Sequence, residues 1–186
     1  MPVKHIPKTG QVLLADPFLE DPYFKRAVIL LCEHNQQGSI GFILNRNMEL
    51  PLEEVLQDFP DIHSTINYGG PVETDSLHYV HNVGEILDGS VKVMNGIWWG
   101  GDFEKLKFLI RTELVKPENI RFYLGYSGWS TGQLDEELES GSWMVAPMDS
   151  NYLFNSEQDN LWNTIMFNKG DHYEIISDIP DFISWN

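Results

Sequence analysis

The stretch Ile120–Pro147 (IRFYLGYSGWSTGQLDEELESGSWMVAP) constrains the fold more than any other, because glycines punctuate it wherever an apolar run ends. Phe122-Tyr123-Leu124 reads as a strand that stops at Gly125 and Gly128. Ser130 precedes Gln133 at the spacing of a capping box, in which the two side chains satisfy each other's free backbone N–H groups. Gly141 is placed to close that short helix in the left-handed conformation. Trp143-Met144-Val145 then resumes an extended chain until Pro147, which has no N–H to give a ladder. The segment is predicted to be strand, glycine turn, short helix and strand.

The rest of the chain supplies short strands. Gln11–Ala15 reads as a strand ended by Asp16-Pro17 and Asp21-Pro22. Arg26–Cys32 (RAVILLC) is too apolar for a one-sided surface strand and is expected to be covered on both faces. The polar link Glu33–Gly38 makes an antiparallel hairpin the shortest connection to Ser39–Asn45 (SIGFILN), where Gly41 marks a bulge or a close backbone approach. Pro51 is placed to start a helix carrying Leu52, Val55 and Leu56 inward before Pro60. Tyr68-Gly69-Gly70-Pro71 forms a tight corner, and Leu77–Asn82 alternates like a half-buried strand. Asn95-Gly96 joins strands at 91–94 and 97–99. Asp102 is an N-cap for a helix to Arg111 with Phe103, Leu106, Leu109 and Ile110 on one face. Ser156 and Asp159 introduce a last helix with Leu161, Trp162, Ile165 and Met166 inward, stopping near Gly170, and the tail DFISWN keeps apolar groups to pack.

Strands interrupted irregularly by helices argue for an α+β class with a mostly antiparallel sheet, either barrel-like or in two layers, flanked by short helices. The 186 residues suit a single domain spanning 1–186. One cysteine, Cys32, excludes an internal disulfide framework, and the start MPVKHIPKTG has no signal-peptide core, so a cytoplasmic protein with no membrane span is expected. The net charge of -16 disfavours direct nucleic-acid contact, whose affinity comes largely from Lys and Arg at phosphates.

Several motifs resemble the YqgE/AlgH family of bacterial proteins across nearly the whole chain. They are Gly10, Leu14 and Pro17; Asp21, Phe24 and Arg26 leading into LCEHN with Gly38, Gly41 and Asn45; GGPV at Gly69–Val72; His81; GGDF at Gly100–Phe103; and GYSGWSTGQLDEEL with Trp143. The family carries the label of transcriptional regulators without an established mechanism. The resemblance implies one α+β domain in the cytosol and supplies no catalytic residue, cofactor or metal.

Ser127 in Gly125-Tyr126-Ser127-Gly128 misses the nucleophile-elbow spacing by one position, and a serine bonded to the turn backbone is the simpler reading. The amides before Gln133 could hold an anion, yet Asp135, Glu136, Glu137 and Glu139 already answer the helix dipole. Cys32 and His34 are the candidate reactive thiol and its activator, set against an inert buried cysteine. His78 and His81 face apart on a strand, and the geometry of a metal site from His34, His81 and a carboxylate is unconstrained by the sequence. Trp98, Trp99, Trp129, Trp143 and Trp162 are core candidates, with one free to line a cleft. Tyr126, Trp129 and Gln133 form the candidate surface for an unidentified protein or small-molecule partner, with Gly69, Gly70, Gly125 and Gly128 acting through the backbone. The leading expectation is a non-enzymatic binding or regulatory protein; the alternative is a thiol-based redox or peroxide sensor centred on Cys32.

Overall fold

The computed structural model describes residues 6–155 and 157–170, and the apolar run after Arg26 forms the middle of its sheet. β1 (Gln11–Ala15) lies antiparallel to β2 (Val28–Asn35), which turns at Gln36-Gln37 into antiparallel β3 (Gly38–Ile43). Side chains alternate between two apolar layers. Val12, Leu14, Val28, Leu30 and Phe42 enter one, and Leu13, Ala15, Ile29, Leu31 and Ile43 enter the other. Both faces of these strands are therefore covered, as their unbroken hydrophobicity requires.

The chain continues through β4 (Asn47–Pro51), β5 (Thr65–Tyr68), β6 (Val72–His81), β7 (Val91–Met94), β8 (Ile97–Trp99), α1 (Phe103–Arg111), β9 (Ile120–Ser130), α2 (Gln133–Glu139), β10 (Trp143–Pro147), α3 (Ser150–Phe154) and α4 (Leu161–Asn168). The ten-stranded sheet runs β10-β1-β2-β3-β9-β6-β8-β7, with β4 and β5 branching from it. Among the described residues every pairing is antiparallel except that of β5 with β9. The sheet does not close, so the fold is α+β with short helices packed on an open, mostly antiparallel sheet. Val93 and Ile97 share a layer with Val12, Leu14 and α4, so the sheet curls until its far hairpin reaches the layer over β1 and β2.

β9 joins the two halves. Sequence spacing ends its strand at Gly125, but the structure carries it through both Gly125 and Gly128 to Ser130. Its first half pairs with β5 and β6, and Gly38–Gly41 pair with Ser127–Ser130 of its second half. The change of partner occurs at Gly125 (φ +68°), beside the Gly69-Gly70 corner. A Cβ on Gly69 would lie 2.2 Å from the Gly125 carbonyl oxygen, and one on Gly70 (φ +153°) would lie 2.2 Å from Tyr126 backbone atoms. The corner predicted at Tyr68–Pro71 is thus one side of a backbone crossing.

Other expectations meet the structure unevenly. The Asn95-Gly96 hairpin, the Asp102 cap and the inward face of α4 form as read, with Asp102 Oδ1 accepting from Lys105 N at 2.7 Å. Gly41 marks a close backbone approach, since a Cβ there would lie 2.7 Å from the Leu30 carbonyl oxygen. The bulge falls opposite it on β2, where the register shifts between Leu31 and Glu33. Pro51 does not begin an α-helix; it ends β4, and only the 3-10 turn Leu52–Glu54 follows, leaving Val55 37% exposed. Pairing of Asn47–Pro51 with β5 outcompetes a helix too short to stand without packing. Phe103 lies at the exposed start of α1 and stacks on Phe59, with ring centroids 5.5 Å apart, instead of entering the core. Ser156 and the DFISWN tail fall outside the described residues.

Candidate functional site

Where β9 passes β3, the pleat places side chains of three strands in rows. Glu33, Ile40 and Gly128 are opposite one another across β2, β3 and β9, as are Asn35, Gly38 and Ser130. Opposed residues share a face and alternate residues return to it, so both rows face the same way. Gly38 and Gly128 contribute no side chains, and the face sinks there into a groove of about 320 Å³. Tyr126, two positions before Gly128 and opposite Val72, borders the groove, and its ring lies over Gly128, whose Cβ would be 3.1 Å from Tyr126 Cε2. Among the described residues, Glu33 is the one carboxylate of the lining, and its Oε1 accepts from Asn35 Nδ2 at 2.9 Å. Among the described residues a second cavity, about 300 Å³, lies at Leu52–His63 on the other half of the sheet.

Behind Tyr126 the His78 ring stands edge-on at 5.8 Å, in a cluster with Phe42 and Trp99. Burial holds His78 below the usual imidazole range, against an opposing pull from Glu73. His81 is fully buried and also held low by desolvation, against the opposing Gly100 carbonyl. Its Nε2 lies 2.7 Å from that carbonyl, and Val83 N donates to its Nδ1 at 3.3 Å. The neutral Nε2–H tautomer satisfies both contacts. A base whose folded pKa is depressed takes up protons first in the unfolded chain, so this contribution is present above about pH 6.5 and is lost as pH falls from there toward the lower folded value. The urea midpoint is therefore expected to drop between about pH 7.5 and pH 5.5, and His81→Gln to flatten that slope.

The three sequence candidates divide. Tyr126 faces the groove. Trp129 borders it on the row with Ser39 and His34, whose side chains the pleat turns to the opposite face. There Trp129 Nε1 and Trp143 Nε1 donate to Glu137 Oε2 at 2.9 and 2.7 Å, the indoles packing edge-to-face at 5.9 Å. Gln133 belongs to the same network: Nε2 donates to Glu137 Oε1 at 2.9 Å, and Oε1 accepts from Ser130 N at 2.9 Å. Only that half of the expected capping box forms, since Gly132 (φ +76°) is the N-cap and the Ser130 hydroxyl also turns to Gln133. At the other end, Gly141 N donates to the Leu138 carbonyl and Ser142 N to that of Glu137, the paired bonds of a Schellman cap. The sequence reading gave Glu137 only a part in the helix dipole, and it did not single out Glu33, Asn35 or Ile40 as groove residues. The β2–β3 hairpin is a local signal, but its alignment with β9 is a long-range register that one sequence does not display.

The remaining candidates have structural partners. Ser127 is buried within β9, where its Oγ donates to the Gly69 carbonyl at 3.1 Å, not raised on an elbow. His34 Nδ1 and Ser39 Oγ lie 2.7 Å apart. Trp129, Trp143 and Trp162 are buried. No group of three His, Cys, Asp or Glu is arranged to hold a metal among the described residues, and no helix among them is long and apolar enough to cross a membrane. Cys32 is 2% exposed, packed in the same layer as Leu30 and Tyr123, and burial pushes its thiol pKa far up. Iodoacetamide is expected to leave it unmodified in the native protein near neutral pH and to label it fully in denaturant. Rapid native labelling would restore the thiol reading.

A family model described as AlgH-like matches residues 12–174. This chain belongs to the AlgH-like family. It is 44% identical over 179 residues to a UPF0301 protein of Chlorobaculum tepidum, covering 96% of each chain. A UPF0301 protein of Cytophaga hutchinsonii is 39% identical over 172 residues, covering 92% of this chain and 94% of its own. The solution structure of the AlgH protein from Pseudomonas aeruginosa superposes with a TM-score of 0.73 at 29% identity, covering 94% of this chain and 95% of that one. The crystal structure of protein DIP2367 from Corynebacterium diphtheriae gives a TM-score of 0.76 at 24% identity over 93% of each chain, a likeness of fold alone.

Proposed function

We propose that this AlgH-like protein is a non-enzymatic, cytoplasmic binding or regulatory protein that takes a protein partner or small molecule in the groove between β2, β3 and β9. The observation that carries this reading is the groove itself. It is walled by Tyr126 and Ile40 and floored by two glycines, while Trp129 and Gln133 are held rigidly on its far side by Glu137. Tyr126 is assigned ligand contact, and Trp129 and Gln133 a positioning role. A preformed concave site with a few polar groups among apolar ones is the usual form of a binding pocket. An effect on transcription would pass through the bound partner, because a chain of net charge -16 is a poor match for a phosphate backbone.

Ile40→Trp places an indole in the groove and is exposed enough to fold. Protein isolated natively from its own host is expected to carry a stoichiometric partner or ligand in native mass spectrometry, and the variant to retain it at least about tenfold more weakly. Equal retention by both proteins would overturn the assignment. Duplex DNA is expected not to bind either protein at low salt, and affinity falling steeply with salt would point to direct DNA binding instead.

A further inference from the structure

We propose that the groove selects a cationic ligand, an ammonium or guanidinium group carried on an apolar stem. The nitrogen would lie against Glu33 and the stem over Ile40, Gly128 and Tyr126. The inference rests on the groove being the binding site and adds the chemistry of what it takes.

The arrangement of side chains points to that class. Along one row the face changes from the carboxylate of Glu33, through the half-buried Ile40, to the bare backbone of Gly128 under the Tyr126 ring. Two strand spacings separate the ends, about 10 Å, which suits an elongated ligand with unlike ends. Glu33 is oriented before any ligand arrives, because Asn35 Nδ2 holds its Oε1 while Asn35 Oδ1 accepts from Gln37 N at 2.8 Å in the hairpin turn. Among the described residues, no Lys, Arg or His lines the groove. An anionic group would meet the Glu33 carboxylate there. At the opposite end the half-buried Tyr126 ring gives the stem an apolar surface. The chain's net charge of -16 draws cations toward the groove from beyond contact distance.

The expected discrimination is modest because Glu33 is exposed to solvent. An ion pair at such a site favours the charged ligand by up to about fivefold and is weakened by salt.

The test titrates the full-length, ¹⁵N-labelled protein at low salt with four probes: hexylamine, hexanol, hexanoate and N-acetyl-lysine N-methylamide. Hexylamine and the capped lysine are expected to shift the amides of Glu33, Ile40 and Gly128. Hexanol should bind about fivefold more weakly than hexylamine, and hexanoate more weakly again. Glu33→Gln, a change at an exposed position, should bring hexylamine down to the affinity of hexanol without altering hexanol. Tighter binding of the capped lysine identifies a protein side chain as the source of the cation, and tighter binding of hexylamine identifies a free amine; either supports the proposal. Equal binding of hexylamine and hexanol, or no effect of Glu33→Gln, overturns the cation preference while leaving the groove as a site. If no probe shifts the groove amides and Ile40→Trp also retains the native partner, both readings fail.

Discussion

Gly70→Ala is expected to abolish stable folding, while Gly96→Ala is tolerated. The added Cβ at Gly70 would lie 2.2 Å from both the carbonyl carbon and oxygen of Tyr126, and the backbone there has φ +153°. Relief requires moving β9, because no flexible side chain is available to yield. β9 cannot move alone: Gly69 N donates to the Leu124 carbonyl at 2.8 Å, and Ile43 N to the Gly69 carbonyl at 3.0 Å, tying β3, β5 and β9 at this crossing. Displacing it would break pairing on both halves of the sheet, a loss of about 4 kcal/mol or more, in the range of exceptional single substitutions. Gly96 also has positive φ (+80°), but a Cβ there meets nothing within 4 Å. Its substitution carries only the left-handed backbone cost of about 1–2 kcal/mol. Urea denaturation and soluble yield distinguish the two variants, and similar midpoints would show that the crossing is looser than the backbone separations imply.

Glu137→Ala is expected to destabilise the protein by about 3 kcal/mol and to change its tryptophan fluorescence. One carboxylate oxygen accepts from the indoles of Trp129 and Trp143, both buried, and the other accepts from Gln133. Truncation leaves two buried N–H donors without acceptors, each worth about 1–3 kcal/mol, and releases the side chain that ties α2 to β9 and β10. Glu137→Gln keeps one acceptor oxygen but brings a second donor to the same place, so an intermediate loss is expected. Glu136→Ala, on the exposed side of the same helix, removes only a dipole contribution of about 0.3–1 kcal/mol. A Glu137→Ala midpoint indistinguishable from that of Glu136→Ala would contradict the network.

The class of fold was legible because strand alternation and turn chemistry are local. Val28–Leu31 announced a doubly covered strand by hydrophobicity alone, and Asn95-Gly96 a hairpin. Gly141 announced the end of α2. The misreadings share one cause. Gly125 and Gly128 looked like strand ends because glycine is weakly suited to a ladder, yet one permits a change of partner and the other makes room for the Tyr126 ring. Pro51 looked like a helix start because the cost of an unsupported helix and the rival pairing with Thr65 depend on residues outside the local window. The candidate site was only partly legible: aromatic and polar residues of the GYSGWSTGQ segment stood out, but which of them face outward depends on the register between β3 and β9. Trp129 and Gln133 proved to be held by Glu137, and the outward partners of Tyr126 were Glu33 and Ile40 from the first hairpin.

Hydrogen exchange followed by mass spectrometry, on protein isolated with its native partner and again after the partner is removed, addresses the binding face directly. Protection gained on binding is expected at 33–40 and 126–130, with α1 and the cavity at Leu52–His63 unchanged. Protection confined to Leu52–His63, with the β2–β3 hairpin exchanging at the same rate in both states, would contradict the groove as the place where this protein meets its partner.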